Sequence, residues 1–409
     1  MRIGLLTTSF PRTESDIAGD FVLGFARQLA AQGHHVEVLA PEPSDAGDRW
    51  SEPPLLAARV ANVTVKHVPY LRPRALQRTF YGAGVPDNLA RDPLAWLGLA
   101  PFCASLYWHA LRRARGWDVL ISHWALPCAL AAGAVRRSHQ RQIAVLHSAD
   151  VHALARIPLG ARLAQRVVHG ADALWFVSEE QRSRFLALLP RGMSLPPTLV
   201  CPMGIDLPRP STSDAELRER YRREHGLRGY CVLLLGRLVH IKGLDVALEA
   251  AARGGMTLLI AGDGPLREPL GRRAQQLGAA VRFLGVVRGA DKQALLQAAD
   301  SFALPSRRLT SGRSEGLPCA LLEALAAGLP VAASRLPGVA ELLSQHALPH
   351  QLVPAEDPAA LHRALLSLRE EPAMRRARHP ARQAVIARHG WPRIGERLAE
   401  LLERVEVRS

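Results

Sequence analysis

Short apolar segments recur along this 409-residue chain, and each is followed by a stretch with helical spacing. The start, MRIGLLTTSF, reads as a strand over 2–8. A helix follows with Phe21, Val22, Phe25 and Leu29 on one stripe and ends near Gly33, before the strand VEVLA at 36–40. Further strands read at 118–124 (DVLISHW), 143–147 (IAVLH) and 173–178 (ALWFVS). A Pro-, Ser- and Asp-rich break at 202–215 has the character of an interdomain linker. The pattern then restarts, with strands at 231–235, 256–261, 281–285, 301–305 and 330–334 and helices at 243–253, 265–277, 291–299 and 318–327. Strands apolar on both faces belong in a parallel sheet covered by helices on both sides. The spacing therefore predicts an α/β protein of two doubly wound, Rossmann-like domains facing across a cleft, divided at 1–205 and 206–389. The length agrees, at roughly 200 residues per domain.

Composition narrows the class. Hydrophobic residues make up 48% and charged residues 22%, as in globular proteins. The five cysteines show no CxxC and no metal-ligand spacing, which fits buried thiols in a reducing compartment. The N-terminus lacks the form of a signal peptide, so the expected location is the cytoplasm. The net charge is +15, and residues 101–200 hold 12 Arg against 5 acidic residues. No RNP, zinc-finger or basic-zipper signature accompanies this charge, so nucleic acid is not the expected partner. An anionic membrane face or phosphorylated small molecules are. Residues 93–111, PLAWLGLAPFCASLYWHAL, carry no formal charge and run into Arg112, Arg113 and Arg115. This stretch reads as a core helix, as a helix lying on a membrane with Arg at its edge, or as a span. Gly98, Pro101 and His109 argue against the span.

In a doubly wound sheet the ligand sits beyond the carboxyl ends of the strands. The strand at 231–235 ends in Gly236-Arg237, and Lys242-Gly243 opens the next helix, so two cations can close on one anionic group. Only three lysines occur, at 66, 242 and 292, so a Lys at this place marks a wanted point charge. The next strand ends in Ala261-Gly262-Asp263-Gly264, a tight turn that by itself marks no nucleotide. The segment GRSEGLPCALLEALAAGLPVAAS, 312–334, sets Glu315 on a loop and Glu323 inside an Ala- and Leu-rich helix, with Pro318 read as the first helical residue and the amides of Gly316 and its neighbours aimed at the site. No basic residue lies at i±4 of Glu323, so its oxygens need other donors. Sugar or ribose hydroxyls would supply them. The pair reads as two hydroxyl acceptors at two depths of one pocket.

These segments together resemble glycosyltransferase family 4. GRLVHIKGLDVALEA, LLIAGDGPLRE, VRFLG, ADSFALPS and SEGLPCALLEALAAGLPV match its C-terminal half, and Glu315 and Glu323 match its E-x7-E pair. TTSFPRTESDIAGDFV, DVLISHWALPCALAAGA, LHSAD, ALWFVSEEQR and CPMGID match the N-terminal half in order, so the resemblance covers nearly the whole chain. It implies a GT-B fold and a retaining transferase that needs neither cofactor nor metal. The co-substrate would be a UDP- or GDP-linked sugar, and the acceptor a lipid-linked or polysaccharide glycan of the cell envelope. Arg237 and Lys242 would hold the diphosphate, with Gly236 and Gly262 at the donor. Glu315, Gly316 and Leu317 would lie at the transferred sugar and Glu323 at the ribose. Gly19 would bring its amide to the phosphates, and His147 would lie against the sugar with Asp150 in support. The C-terminal helix, 390–409, would cross back to the first domain. Departures from the family pattern are the single Gly19, Ser148 in HSAD, Met203 before Gly204, and a shortened SRLPGVAE; these touch acceptor geometry and sugar choice. Two rivals stay open: a sugar-nucleotide epimerase of the same fold, and a non-catalytic partner subunit.

Overall fold

RIGLL forms β1 (Arg2–Leu6), and from Ile3 onward every residue of it is buried, because both of its neighbours run parallel to it. Ile3 stands opposite Val36 of β2 (His35–Pro41) on one side and Val119 of β4 (Val119–His123) on the other. The computed structural model describes residues 1–12, 16, 18–43, 61–82, 84–206, 214–346, 350–370 and 378–405. With β3 (Val63–Val68), β5 (Arg141–Leu146), β6 (Ala173–Phe176) and β7 (Thr198–Val200), the first sheet has the order β3-β2-β1-β4-β5-β6-β7. The second sheet has the order β10-β9-β8-β11-β12-β13. Its strands are β8 (Cys231–Leu235), β9 (Thr257–Ala261), β10 (Val281–Gly285), β11 (Ser301–Leu304), β12 (Val331–Ser334) and β13 (His350–Val353). Every pairing in both sheets is parallel. Strand order therefore reverses between β1 and β4 in one sheet and between β8 and β11 in the other.

The contacts divide the chain into Met1–Gly204 with Trp391–Ser409, and Ile205–Gly390. Of the expected linker 202–215, residues 207–213 lie outside the described residues. Within the first unit the Trp391–Arg404 helix packs on the Asp20–Ala31 helix, burying Trp391, Ile394, Leu398, Leu401 and Leu402.

Three strands escaped the hydropathy pattern: β3, β7 and β13. All are edge strands, with one neighbour and a face less completely covered, so their sequences are not continuous apolar runs. β10, read as uniformly buried, is also an edge strand and exposes Arg282. The 93–111 stretch divides into a 3-10 turn at Pro93–Gly98 and a helix at Leu99–Arg113. Phe102, Leu106 and Ala110 of that helix are fully buried beside Tyr70 and Phe80. With its 3-10 ends the segment Pro93–Gly116 is the one described helix long and apolar enough to cross a membrane. Its inner stripe is nevertheless part of the domain core.

Candidate active site

Each unit gathers its chemistry-bearing residues where strand order reverses, the place at which doubly wound sheets take ligands. In the second unit β8 delivers Gly236 and Arg237, and the 3-10 turn His240–Lys242 follows. Gly262, at the end of β9, has φ 137°, and a side chain there would meet the Gly236 carbonyl oxygen at 1.9 Å. Only glycine lets these two strand ends lie together. Gly236, Arg237 and Lys242 line one pocket with Leu304 and Pro305 from the end of β11.

The two carboxylates of 312–334 both carry cations. Lys242 Nζ forms an ion pair with Glu315, which also accepts from the Ser306 hydroxyl. Lys292 Nζ, on the Gly289–Ala298 helix, lies 2.8 Å from Glu323 Oε1. The reading of Glu323 as a residue without an ionic partner is thereby corrected, since its partner comes from 31 positions upstream on another helix. Two of the chain's three lysines thus sit on the two carboxylates. Lys292 had not been singled out, although the scarcity of lysine that marked Lys242 marks it equally. Pro318 is also corrected. It has the extended φ −72°, ψ 124° of a capping residue, and the helix begins at Cys319. Gly316 is buried in the preceding loop, while Leu317 packs against the core.

In the first unit, Gly19 opens the Asp20–Ala31 helix with φ 72°. A Cβ there would stand 2.4 Å from the Ser9 carbonyl oxygen, so the loop after β1 closes only on glycine. His147 caps the Ser148–Leu154 helix at the end of β5. Its Nε2 lies 3.1 Å from Nδ1 of His123, which ends β4, and the rings stack at 5.3 Å. Phe21 and Trp124 close on His147 at 5.2 and 4.9 Å. Trp124 holds φ 72°, costly for a bulky side chain and kept only where its surroundings impose it. Asp150 accepts hydrogen bonds from the backbone N–H of His147 at 2.9 Å and of Ala125 at 2.6 Å, tying the ends of β4 and β5 together. Burial holds His147 neutral, with its pKa pushed down to about 3, and keeps His123 well below the usual range. Burial likewise raises the Asp150 carboxyl to about 7, against the opposing effect of its backbone donors.

Two family models match this chain. The glycosyl transferase 4-like domain matches residues 18–204, and the glycosyl transferases group 1 model matches 229–371. A GDP-mannose-dependent alpha-(1-6)-phosphatidylinositol monomannoside mannosyltransferase of Mycolicibacterium smegmatis is 33% identical over 294 residues, 68% of this chain and 74% of that protein. The chain belongs to glycosyltransferase family 4. This family 4 glycosyltransferase is also 28% identical to the phosphatidyl-myo-inositol mannosyltransferase of Mycobacterium leprae, over 99% of its own length and 97% of the relative's. Its fold is GT-B, like that of HepE from Anabaena, solved with UDP and glucose. The two structures match with a TM-score of 0.72 at 18% identity, over 98% of this glycosyltransferase and 99% of HepE.

Proposed function

We propose that this glycosyltransferase moves a sugar from a UDP- or GDP-linked donor to a lipid-linked or polysaccharide acceptor, with retention at the anomeric carbon and without a metal. The observation that carries this reading is the cluster at the β8–β11 crevice, Arg237 and Lys242 beside Glu315. The relatives support it: one is named as GDP-mannose-dependent, and another was solved with UDP and glucose.

In this mechanism the bond between the anomeric carbon and the diphosphate oxygen breaks while the acceptor oxygen bonds to the same face. The acceptor proton passes to the departing phosphate. Arg237 and Lys242 stabilise the charge that develops on the diphosphate, a role fixed cations fill without reorganising. A diphosphate reaching Lys242 competes with Glu315 for the ammonium, which releases the Glu315 oxygens toward sugar hydroxyls. Gly236, Gly262, Gly316 and Leu317 border the donor, and Glu323 takes the ribose hydroxyls. In the first unit, His147, its backbone held by Asp150, and Gly19 are the residues that the family resemblance assigns to the sugar and the phosphates. The enzyme works at the cytoplasmic face of the membrane, resting on an anionic leaflet through 93–115. There Leu94, Trp96, Leu97, Tyr107, Trp108 and Leu111 are exposed beside Arg112 and Arg115.

Calorimetry against UDP-, GDP- and ADP-sugars with a chelator present tests the donor site. One donor should bind, and Lys242→Ala or Arg237→Ala should weaken binding and cut turnover by ~10²-fold, as for loss of one preorganised charge contact. Near-normal kinetics in both variants would remove the diphosphate assignment, and activity abolished by the chelator would remove metal independence. NMR of the product's anomeric configuration decides retention.

A further inference from the structure

Ten large apolar side chains are exposed among the described residues. Six lie on Pro93–Gly116, and two more, Ile157 and Leu159, stand on the turn between the Ser148–Leu154 and Gly160–Gly170 helices. That eight of ten fall on two segments argues against scattered surface residues, which are normal, and for a contact surface. Both segments lack acidic residues: none occurs between Asp92 and Asp118, and none between Asp150 and Asp172. The second interval holds Arg156, Arg162 and Arg166, all exposed.

The Ile157 turn is built tightly. Ile157 N–H donates to the Ala153 carbonyl at 3.2 Å, and Gly160 N–H donates to the Ile157 carbonyl at 2.9 Å. A side chain on Gly160 would strike the Leu154 carbonyl oxygen at 1.7 Å, so the chain turns back directly and holds Ile157 and Leu159 outward. Its position follows from the sheet. A helix that feeds the next parallel strand starts beyond the carboxyl edge of the sheet. The Gly160–Gly170 helix feeds β6 and the Leu99–Arg113 helix feeds β4, so Ile157, Leu159, Leu94, Trp96 and Leu97 all lie toward the edge where β5 delivers His147. Seven helical residues, about 10 Å, separate His147 from the turn.

We propose that Ile157 and Leu159 enter the headgroup–acyl boundary of an anionic lipid leaflet as a second contact point beside 93–115. Two points fix the orientation and hold the sheet edge bearing His147 close to the lipid from which a membrane-bound acceptor arrives. The proposal rests on the membrane reading of 93–115 given above. Charge selects the occupant: apolar tips among arginines, with no acidic residue, complement anionic headgroups. A second copy of a chain of net charge +15 would meet the same basic surface and be repelled.

The test is sedimentation of the full chain with vesicles of phosphatidylcholine alone and of phosphatidylcholine with phosphatidylglycerol. The variants are Ile157→Glu/Leu159→Glu and Trp96→Glu/Leu97→Glu, with circular dichroism and nucleotide binding as controls of folding. The wild type should bind the mixed vesicles only, and the first variant should lose about tenfold in partition, the scale for half-burying two aliphatic side chains. If that variant fails to fold, Ile157→Ser/Leu159→Ser is read in the same way. Wild-type partition in the Ile157/Leu159 variant together with loss in the Trp96/Leu97 variant would overturn this proposal and leave the 93–115 reading standing. No binding by the wild type would overturn both. A wild-type dimer made monomeric by the turn variant, with vesicle binding unchanged, would assign the surface to self-association and overturn the lipid proposal.

Discussion

Lysine is rare enough in this chain to act as a marker, and the structure places two of three on the carboxylates Glu315 and Glu323. Glu323 is 13% exposed in its side chain, and Lys292 is one of the groups that stabilise its carboxylate. Lys292→Met should destabilise the second unit by removing the ion pair with Glu323, and a thermal double-mutant cycle with Glu323→Gln reads the coupling between the two side chains, which should be favourable. Glu323 was legible because a charge inside an Ala/Leu helix is conspicuous, and Glu315 because it stands in the Gly- and Pro-flanked loop just before that helix. Lys242 was legible as a site cation, but neither ion pair was, because Lys292 and Lys242 are 31 and 73 positions away and the pairing exists only after the sheet forms. The same holds for His123 and His147, which meet only because β4 and β5 are neighbours. Their titration gives a signed prediction. Both histidines have folded pKa values below 6.5, so their contribution is complete above pH 6.5 and is lost as the pH falls, for His147 toward about 3. Asp150, raised from 3.8 to about 7, has the opposite sign: its contribution is complete below 3.8 and is lost as the pH rises through about 7. Between these limits the unfolded chain binds two histidine protons that the folded one does not, and the folded chain holds one on Asp150. Stability should therefore rise with pH across this range, the two histidines outweighing the one carboxyl. Asp150→Asn should steepen that slope and His147→Gln should flatten it, as read by denaturant unfolding at pH 5, 5.5 and 6.

At the scale of elements, the central strands were legible because burial on both faces leaves an uninterrupted apolar run, and the edge strands β3, β7 and β13 were hidden for want of one. Helix starts were less legible: Pro318 satisfies the sequence preference for a first helical residue, yet its extended ψ makes it the cap. The helix at Trp391–Arg404 shows how packing completes what periodicity only suggests. Trp391 lies against two glycines of distant sequence. A Cβ on Gly24 would meet its ring at 2.4 Å and one on Gly204 at 2.5 Å. Trp391→Ala should destabilise the first unit by about 3–5 kcal/mol. Gly24→Ala should also destabilise, by overpacking. Thermal unfolding of the purified variants measures both, and an unchanged midpoint for Trp391→Ala would show that the helix is held elsewhere.

Across the whole molecule the same strand order is used twice, the second sheet repeating the first six strands of the first. Each unit thus has one crevice where the order reverses. One holds Gly19, His123 and His147, and the other holds Arg237, Lys242 and Glu315. The net charge of +15 belongs to this scale as well. Vesicle binding should weaken steeply as salt rises from 0.05 to 0.5 M, roughly, because charges at the surface are screened beyond a Debye length; binding indifferent to salt would leave only the apolar side chains to account for it. The split first unit carries a further consequence. Its closing helix is translated only after all of Ile205–Gly390 has been made. During synthesis the Gly24 and Gly204 surfaces must wait uncovered while the second unit, continuous in sequence, is free to fold first. A chain cut before Trp391 would therefore carry the whole sequence of the second unit and a first unit lacking the helix that covers Gly24 and Gly204.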